Sequence, residues 1–265
     1  IVLFSNSTPE KKQNTIHESI SRNVQRQIRG SITAMLISGI QPFTTVDFPD
    51  TIACILFTAG CNFRCGYCHN SEFVLPQKIA ALKDDFLNHD AVMNFLKQRQ
   101  GKLDGVVISG GEPTMHHELL DWMARIKELG FKVKLDSNGS FPEVLQEALD
   151  RQIVDYIAMD IKCAPRRYQE LAGARAEANK IIKSTNILKN ANIPIEFRTV
   201  AIKGFHKDKD FQEIAELISG APRYRILKFR PENTLCPSFG FFKAFDASET
   251  DHIVSFFDSV GEVII

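Results

Sequence analysis

From residue 35 onward, short apolar segments alternate with longer segments in which apolar residues recur at helical spacing. The short segments are rich in Val, Ile and Phe and end in turn residues, as buried strands do. The predicted strands are residues 52–57, 106–109, 132–136, 156–161, 195–201 and 226–229. The predicted helices are residues 90–100, 116–129, 142–152, 174–190, 209–218 and 249–259. The pattern therefore predicts six successive strand–helix units.

The regular alternation also predicts how the sheet is built. Strand–helix units with no antiparallel block between them form a parallel sheet with helices outside it. Six strands are too few for a complete eight-stranded barrel, so we expect an α/β fold with an open, partial (β/α)6 TIM-like barrel. A flat, doubly wound sheet is the alternative. In either architecture, functional side chains gather at the carboxyl ends of the strands.

Residues 1–34 differ from the rest of the chain. Ile16, Ile20, Val24 and Ile28 recur every four residues and form a narrow helical stripe within a polar, basic stretch. We interpret 1–34 as an N-terminal extension that is flexible or a loosely docked helix, with a partner-binding or targeting helix as the alternative. The remaining residues, 35–265, are predicted to form the barrel domain.

Composition restricts the partners that the chain is expected to have. Hydrophobic residues make up 44% of the 265 residues, charged residues make up 24%, and the formal net charge is zero. We therefore expect neither nucleic acid nor a membrane surface as a partner. No apolar run approaches the roughly 20 residues of a membrane span, and no charged segment followed by an apolar one opens the sequence as a secretion signal would.

Three of the six cysteines, Cys61, Cys65 and Cys68, lie within eight residues. Such crowding in a chain without an export signal predicts metal binding rather than a disulfide framework, and it predicts a reducing, cytoplasmic location. The other cysteines form no second compact motif and are interpreted as structural: Cys54, Cys163 and Cys236.

The C-x3-C-x2-C spacing, on a loop after a strand, suits a [4Fe–4S] cluster. Three thiolates bind three irons of a cubane and leave the fourth iron open, where the amine and carboxylate of S-adenosylmethionine (SAM) can bind. Electron transfer from the reduced cluster then breaks the sulfonium C–S bond and gives a carbon radical that abstracts hydrogen. A zinc site is the alternative, but a second Cys-x2–4-Cys half is missing and His69 follows Cys68 too closely to complete the same tetrahedron.

The motif at residues 61–68, with Tyr67 just before its last cysteine, resembles the signature of the radical SAM superfamily. Residues 58–70, together with residues 39–49, are more narrowly similar to the activating proteins of anaerobic ribonucleoside-triphosphate reductase, relatives of the pyruvate formate-lyase activating enzyme. This resemblance covers residues 35–235. It implies an enzyme that cleaves SAM reductively, takes electrons from a flavodoxin or ferredoxin-like donor, and makes a glycyl radical on a partner enzyme.

Three other functions stay open at this point. The chain could act on a small molecule or a peptide by the same radical step, or it could activate another glycyl radical enzyme such as pyruvate formate-lyase. It could also be a metal-binding module without catalysis, which would leave the polar residues at the other strand ends unexplained.

A glycine pair follows the second predicted strand, where Gly110, Gly111, Glu112 and Pro113 precede a helix. Two glycines let a ligand approach the backbone closely, although Gly-Gly before Pro is also an ordinary turn. The resemblance implies that this segment holds the methionine amino group of SAM. We therefore include these four residues among the candidate cofactor-binding residues.

Polar and charged residues also end the following strands. The resemblance implies further contacts with SAM for Tyr67, Asn138, Asp160, Lys162 and Arg198. It also implies a monovalent cation bound by Asp136, Ser137 and Asp160. Strand-end capping and a structural Asp160–Lys162 ion pair are the alternatives. Two weaker candidates lie near the sixth predicted strand: Lys228 and Arg230.

Two features outside the strand ends complete the prediction. Asp47 resembles an activase aspartate that touches the glycine-bearing loop of the partner, although Phe48 replaces the glycine that follows it in pyruvate formate-lyase relatives. The Phe-rich residues 239–245 are interpreted as a cover for the barrel mouth or core, or as a partner-docking patch.

Overall fold

A computed structural model of the chain describes residues 35–82 and 85–265. The helical stripe predicted within residues 1–34 lies outside the described residues. Within them, no helix combines the length and the apolar character that a bilayer span requires.

The described residues form an eight-stranded sheet in which the strands follow one another in sequence order. The strands are β1 Ile37–Thr44, β2 Ala53–Thr58, β3 Gly105–Gly110, β4 Lys132–Ser137, β5 Tyr156–Asp160, β6 Ile195–Ala201, β7 Arg223–Lys228 and β8 Glu262–Ile264. β1 pairs antiparallel with β2, and every later pairing is parallel. A doubly wound sheet would reverse its strand order at a switch point. The sequential order instead confirms the open, partial barrel.

Helices connect the parallel strands. They are α1 Ser71–Val74, α2 Pro76–Ala81, α3 His89–Arg99, α4 Leu119–Glu128, α5 Pro142–Asp150, α6 Tyr168–Ala172, α7 Ala178–Lys189, α8 Asp208–Leu217 and α9 Ala247–Val254. The predicted helix 174–190 is shorter at its start, and the separate helix α6 precedes it. Gly173 ends α6 with a φ of 93°, a left-handed conformation that favours glycine and interrupts the helix.

The two edge strands were not among the six predicted strands. β1 is half exposed and its register with β2 shifts twice, so it lacks a regular alternating pattern. β8 has only three residues, too few to give a pattern. Neither edge strand changes the order of the six central strands that carry the predicted site.

Apolar side chains fill the amino-terminal half of the sheet's inner face. Phe48 packs edge-on against Tyr156 with ring centroids 5.9 Å apart, and the other buried members of this cluster are Ala53, Ile55, Val107 and Ala158. A larger core lies between the outer face and the helices. The polar residues on the inner face of the sheet therefore lie at the carboxyl ends of the strands, next to this apolar cluster.

Candidate active site

The cysteine-bearing loop follows β2 and is tied down on two sides. On one side, Arg64 N donates to Ala172 O at 2.8 Å, which joins the loop to α6. On the other side, Cys236 N donates to Gly66 O at 2.9 Å, and Leu235 N donates to Cys68 O at the same distance. Backbone contacts with distant segments therefore fix the conformation of this loop.

Three thiols of this loop line one cavity of about 580 Å³. Burial raises the pKa of Cys61 to about 12 and that of Cys65 to about 11, and it raises the pKa of Cys68. Without a metal these groups are thiols, and binding a soft metal would release their protons. All described cysteines are free, and Cys236 is exposed rather than packed in the core.

The donor set defines what the cavity could hold. Three soft sulfur ligands on one loop suit an iron–sulfur cluster held at three corners. Of the cysteines in the described residues, only those three line the cavity. Within the same residues, no group of three His, Cys, Asp or Glu side chains is arranged to hold a single metal ion.

The glycine pair at the end of β3 packs against the start of the cysteine loop. A Cβ atom on Gly111 would lie 1.9 Å from Gly60 O, and one on Gly110, whose φ is 121°, would lie 2.3 Å from Thr58 O. Gly111 N donates to Thr58 O at 2.8 Å and Glu112 N donates to Gly60 O at 2.7 Å. The two glycines therefore permit a close backbone approach that a side chain would block.

The Glu112 carboxylate joins the end of β3 to the end of β4. Its Oε2 accepts a hydrogen bond from Asn138 N at 2.6 Å, and its Oε1 accepts one from Ser137 Oγ at 2.9 Å. Thr114 donates to Oε1 through its backbone N at 3.1 Å and through its hydroxyl. Burial raises the pKa of Glu112, and these four donors oppose that rise by stabilising the ionised form. The Glu112 side chain therefore holds the loop after β3 and the loop after β4 together.

Replacing Glu112 with glutamine is expected to destabilise the fold by about 1–3 kcal/mol. The backbone N–H groups of Asn138 and Thr114 donate to different oxygens, and an amide offers only one oxygen. Thermal or urea unfolding of Glu112→Gln measures the loss. The exposed Glu147→Gln change should stay within about 0.5 kcal/mol, and an equally stable Glu112→Gln protein would disprove the bracing role.

A buried ion-pair network lies where β4, β5 and β6 end. Asp160 pairs with Lys162 Nζ through Oδ2 at 2.8 Å and with Arg198 Nε through Oδ1 at 2.8 Å. Lys134 Nζ lies 2.5 Å from Asp136 Oδ1, and Arg198 Nη1 lies 3.4 Å from Asp136 Oδ2. The structural ion pair considered from the sequence is therefore present. Three cations face two carboxylates, which leaves one excess positive charge beside the cavity.

The cations decide the ionisation of this network. Burial alone would raise the pKa of both carboxyl groups, but Arg198 and Lys162 hold the pKa of Asp160 well below its usual value. Arg198 and Lys134 likewise lower the pKa of Asp136. Asp160 in turn raises the pKa of Lys162 against the opposing effect of burial. The two carboxylates and Lys162 are therefore ionised at neutral pH.

The Phe-rich segment packs partly against the core, as one of its interpretations predicted, and its Phe239 also packs against the cysteine loop. A Cβ atom on Gly66 would lie 2.1 Å from Phe239 Cε2, and the ring of Tyr67 lies 6.5 Å from that of Phe239. Phe205 and Phe242 also pack against the Phe239 ring. Phe241, by contrast, is 87% exposed.

Replacing Gly66 with alanine is expected to displace the Phe239 ring, because the added methyl group would occupy its place. Iron bound in the loop should then be extracted faster by a chelator, since the cover no longer excludes solvent. Extraction rates followed by absorbance measure the effect. On a Phe239→Ala background the Gly66→Ala change should add nothing, and equal rates for Gly66→Ala and the unaltered protein would contradict the covering role.

The structure brings most of the predicted site residues into one cavity. Those that line it are Cys61, Cys65, Tyr67, Cys68, Gly110, Gly111, Glu112, Asp136, Ser137, Asn138, Asp160, Lys162, Arg198, Lys228 and Arg230. Pro113 is buried in a 3-10 turn and does not line it. Asp47 lies in the loop before β2, at the opposite end of the strands, where Thr44 Oγ1 donates to it at 2.5 Å.

Several residues of the site were not assigned to it from the sequence. Apolar side chains of the last strands and residues flanking the motifs also line the cavity: Phe63, His69, Asn70, Val74, Ser109, Val200 and Leu227. Lys134 was missed as well, although it lies two residues before Asp136 on the same strand. The period-two alternation of a strand places both side chains on one face and could have identified it.

Comparison with known proteins gives a family match over most of the barrel. The family model described as the Radical SAM superfamily matches residues 55–218. A Methanocaldococcus jannaschii protein named "Putative glycyl-radical enzyme activating enzyme" is 34% identical over 209 residues, which are 77% of this chain and 84% of the relative. The Escherichia coli K12 pyruvate formate-lyase 1-activating enzyme is 30% identical over 173 residues, 63% of this chain and 67% of the relative.

Solved structures share the fold at low sequence identity. Streptococcus suis SuiB bound to its precursor peptide SuiA matches with a TM-score of 0.57 and 13% identity, over 96% of this chain and 52% of SuiB. SuiB bound to S-adenosylmethionine matches with a TM-score of 0.52 and 16% identity, over 76% of this chain and 47% of SuiB. The chain thus spans about half the length of these neighbours, and the match concerns the fold alone.

Proposed function

Because the chain belongs to the radical SAM superfamily and, within it, to the glycyl-radical enzyme activating enzymes, we propose that its target is anaerobic ribonucleoside-triphosphate reductase. The observation that carries the activase reaction is the single cavity that joins the three motif thiols to the glycine pair and the ion-pair network. The choice of the reductase is supported by residues 58–70 and 39–49, whose sequence resembles the activating proteins of that enzyme.

We assign the [4Fe–4S] cluster to Cys61, Cys65 and Cys68. The donor set fits, since three soft ligands face the cavity from a loop that is fixed on both sides. When bound, the cluster supplies the electron that cleaves SAM to methionine and a 5′-deoxyadenosyl radical. The loop and its Phe239 cover orient the cluster and limit the access of water.

The walls of the cavity support a binding site for SAM. The exposed backbone at Gly110 and Gly111 offers hydrogen-bonding groups to the methionine ammonium. Lys162 and Arg198 belong to the network whose one excess positive charge suits the methionine carboxylate. Tyr67, Val200 and Leu227 supply aromatic and apolar surface for the nucleoside. Each of these roles is a proposal that a binding measurement on the corresponding variant can test.

A monovalent cation at Asp136, Ser137 and Asp160 stays a prediction. Both carboxylates already contact cationic side chains, and Ser137 donates its hydroxyl hydrogen to Glu112. A bound cation would therefore share oxygens whose charge is largely neutralised within the protein.

Two external partners complete the proposed reaction. A flavodoxin or ferredoxin-like protein would reduce the cluster, and the 5′-deoxyadenosyl radical would remove hydrogen from a glycine Cα of the reductase. We propose that a loop of this protein substrate enters the open barrel and reaches the cavity. The free cysteines of the described residues suit a reducing compartment, so we place the reaction in the cytoplasm.

Electron paramagnetic resonance of the reductase tests the proposed target. The protein is loaded anaerobically with iron and sulfide, reduced with dithionite, and mixed with SAM and anaerobic ribonucleoside-triphosphate reductase. A glycyl radical signal is expected on the reductase, and it should be absent with Cys65→Ala or with a reductase whose radical-bearing glycine is alanine.

Two outcomes would change the assignment. A radical on pyruvate formate-lyase but none on the reductase would keep the activase and replace its target. SAM cleavage without a radical on either enzyme would favour a small-molecule or peptide substrate.

A further inference from the structure

The side-chain orientation of Asn138 follows from its hydrogen bonds. Its Oδ1 accepts a hydrogen bond from Ser140 N at 2.9 Å and another from Ser140 Oγ at 2.6 Å. A backbone N–H can only donate, so the atom facing it must be the oxygen. The Asn138 amide nitrogen therefore points the opposite way, into the cysteine loop.

Both hydrogens of that amide nitrogen find acceptors on the cysteine loop. One is donated to Asn62 Oδ1 at 3.0 Å. The other is directed at Cys61 Sγ, where the nitrogen–sulfur distance is 3.9 Å. Asn138 is 4% exposed, so water does not compete for these hydrogens. Among the described residues, no other side chain donates a hydrogen bond to a sulfur of the motif.

The surrounding contacts hold this amide in place. Asn138 N is bound to the Glu112 carboxylate at 2.6 Å, and Asn62 Nδ2 donates to Ser140 Oγ at 2.9 Å. Asn62, Asn138 and Ser140 thus form a closed ring of hydrogen bonds. Phe63 N, 3.4 Å from Cys61 Sγ, is a second donor to the same sulfur.

We propose that Asn138 is a positioning residue whose amide donates a hydrogen bond to the Cys61 sulfur and raises the reduction potential of the cluster held there. A reduced cluster carries one more negative charge than the oxidised one, and its sulfur ligands share that charge. A hydrogen-bond donor therefore stabilises the reduced form more than the oxidised form. This inference rests on the proposed cluster, but it concerns the ease of reduction rather than the reaction with SAM.

Potentiometric titration followed by electron paramagnetic resonance measures this effect without SAM or a partner enzyme. Asn138→Ala should bind the cluster and shift its midpoint potential to more negative values. At a fixed potential the reduced-to-oxidised ratio should fall about threefold to tenfold, the upper value corresponding to ~59 mV for a one-electron couple.

Asn138→Leu has about the size of asparagine and adds no charge, but it has no N–H for the sulfur. Its midpoint potential should also shift to more negative values. This variant therefore tests the role of the Asn138 amide if Asn138→Ala does not fold. Ser140→Ala disturbs the same ring but leaves the donor to Cys61, and its potential should move much less.

The outcomes separate this inference from the proposed function. Unchanged potentials in both Asn138 variants, or an equal shift in Ser140→Ala, would overturn the role of Asn138 while the cluster assignment stands. If the unaltered protein binds no iron–sulfur cluster, both the proposed function and this inference are refuted.

Discussion

Replacing Cys65 with alanine is expected to remove the iron–sulfur cluster and its visible absorbance. Cys65 is the middle ligand of the motif and is only 7% exposed, so neither water nor another side chain can readily take its place. Loss of residues that merely support metal ligands costs about 10- to 100-fold in affinity, and loss of a ligand should cost more. SAM cleavage should fall to the background level. Iron and sulfide analysis after anaerobic reconstitution measures the change.

Cys236 provides the matched control for this substitution. Its backbone touches the cysteine loop, but its thiol is exposed and lies outside the cavity. Cys236→Ala should therefore retain a full complement of iron. Full iron in Cys65→Ala would refute the ligand assignment, and loss of iron in Cys236→Ala would add a fourth ligand to the site.

Replacing Gly111 with alanine is expected to damage both stability and SAM cleavage. The new Cβ would lie 1.9 Å from Gly60 O, and Gly60 directly precedes Cys61. The neighbour is backbone and cannot rotate away, so β3 and the cysteine loop must separate. We expect a loss of about 1–3 kcal/mol in the free energy of unfolding and, since a displacement of about 1 Å can cost 100-fold, a fall in cleavage of about that size.

Gly39 is the matched control for this prediction. It lies in edge strand β1, its φ is not in the left-handed region, and a Cβ there would meet no atom within 4 Å. Gly39→Ala should keep full activity. Calorimetry and measurement of 5′-deoxyadenosine give the two quantities, and a Gly111→Ala protein with unchanged stability and activity would show that the two backbones are not held together as described.

The order of the chain explains why so much of this site could be predicted. In a parallel sheet, the segments after successive strands meet at one edge. Residues as far apart in sequence as Cys61, Gly111, Asp160 and Arg198 could therefore be assigned to one place from the strand pattern alone. The family resemblance added their proposed roles, and the structure added the contacts among them.

Two features of the site depend on contacts that no local pattern encodes. Phe239 meets Gly66 although the two lie far apart in sequence. The ring formed by Asn62, Asn138 and Ser140 depends on how two loops pack. Such tertiary contacts follow from the folded geometry and have no periodic signature.

Charged residues inside the barrel were harder to interpret from the sequence. A charge within a strand is costly unless it is paired, so Arg198 needs a partner. Cofactor groups were the expected partners, whereas the structure pairs Arg198 with Asp160 and Asp136. Sequence alone could not choose between an internal partner and a ligand. The excess of one positive charge in the network leaves room for a ligand carboxylate as well.

The central claim is that the three motif thiols hold a cluster that cleaves SAM. The most direct test incubates the anaerobically reconstituted protein with dithionite and SAM and measures 5′-deoxyadenosine and methionine. We predict equal amounts of both products from the unaltered protein and none from Cys65→Ala. A protein that carries an intact, reduced [4Fe–4S] cluster and yields no 5′-deoxyadenosine, or one that binds zinc in its place, would contradict the account.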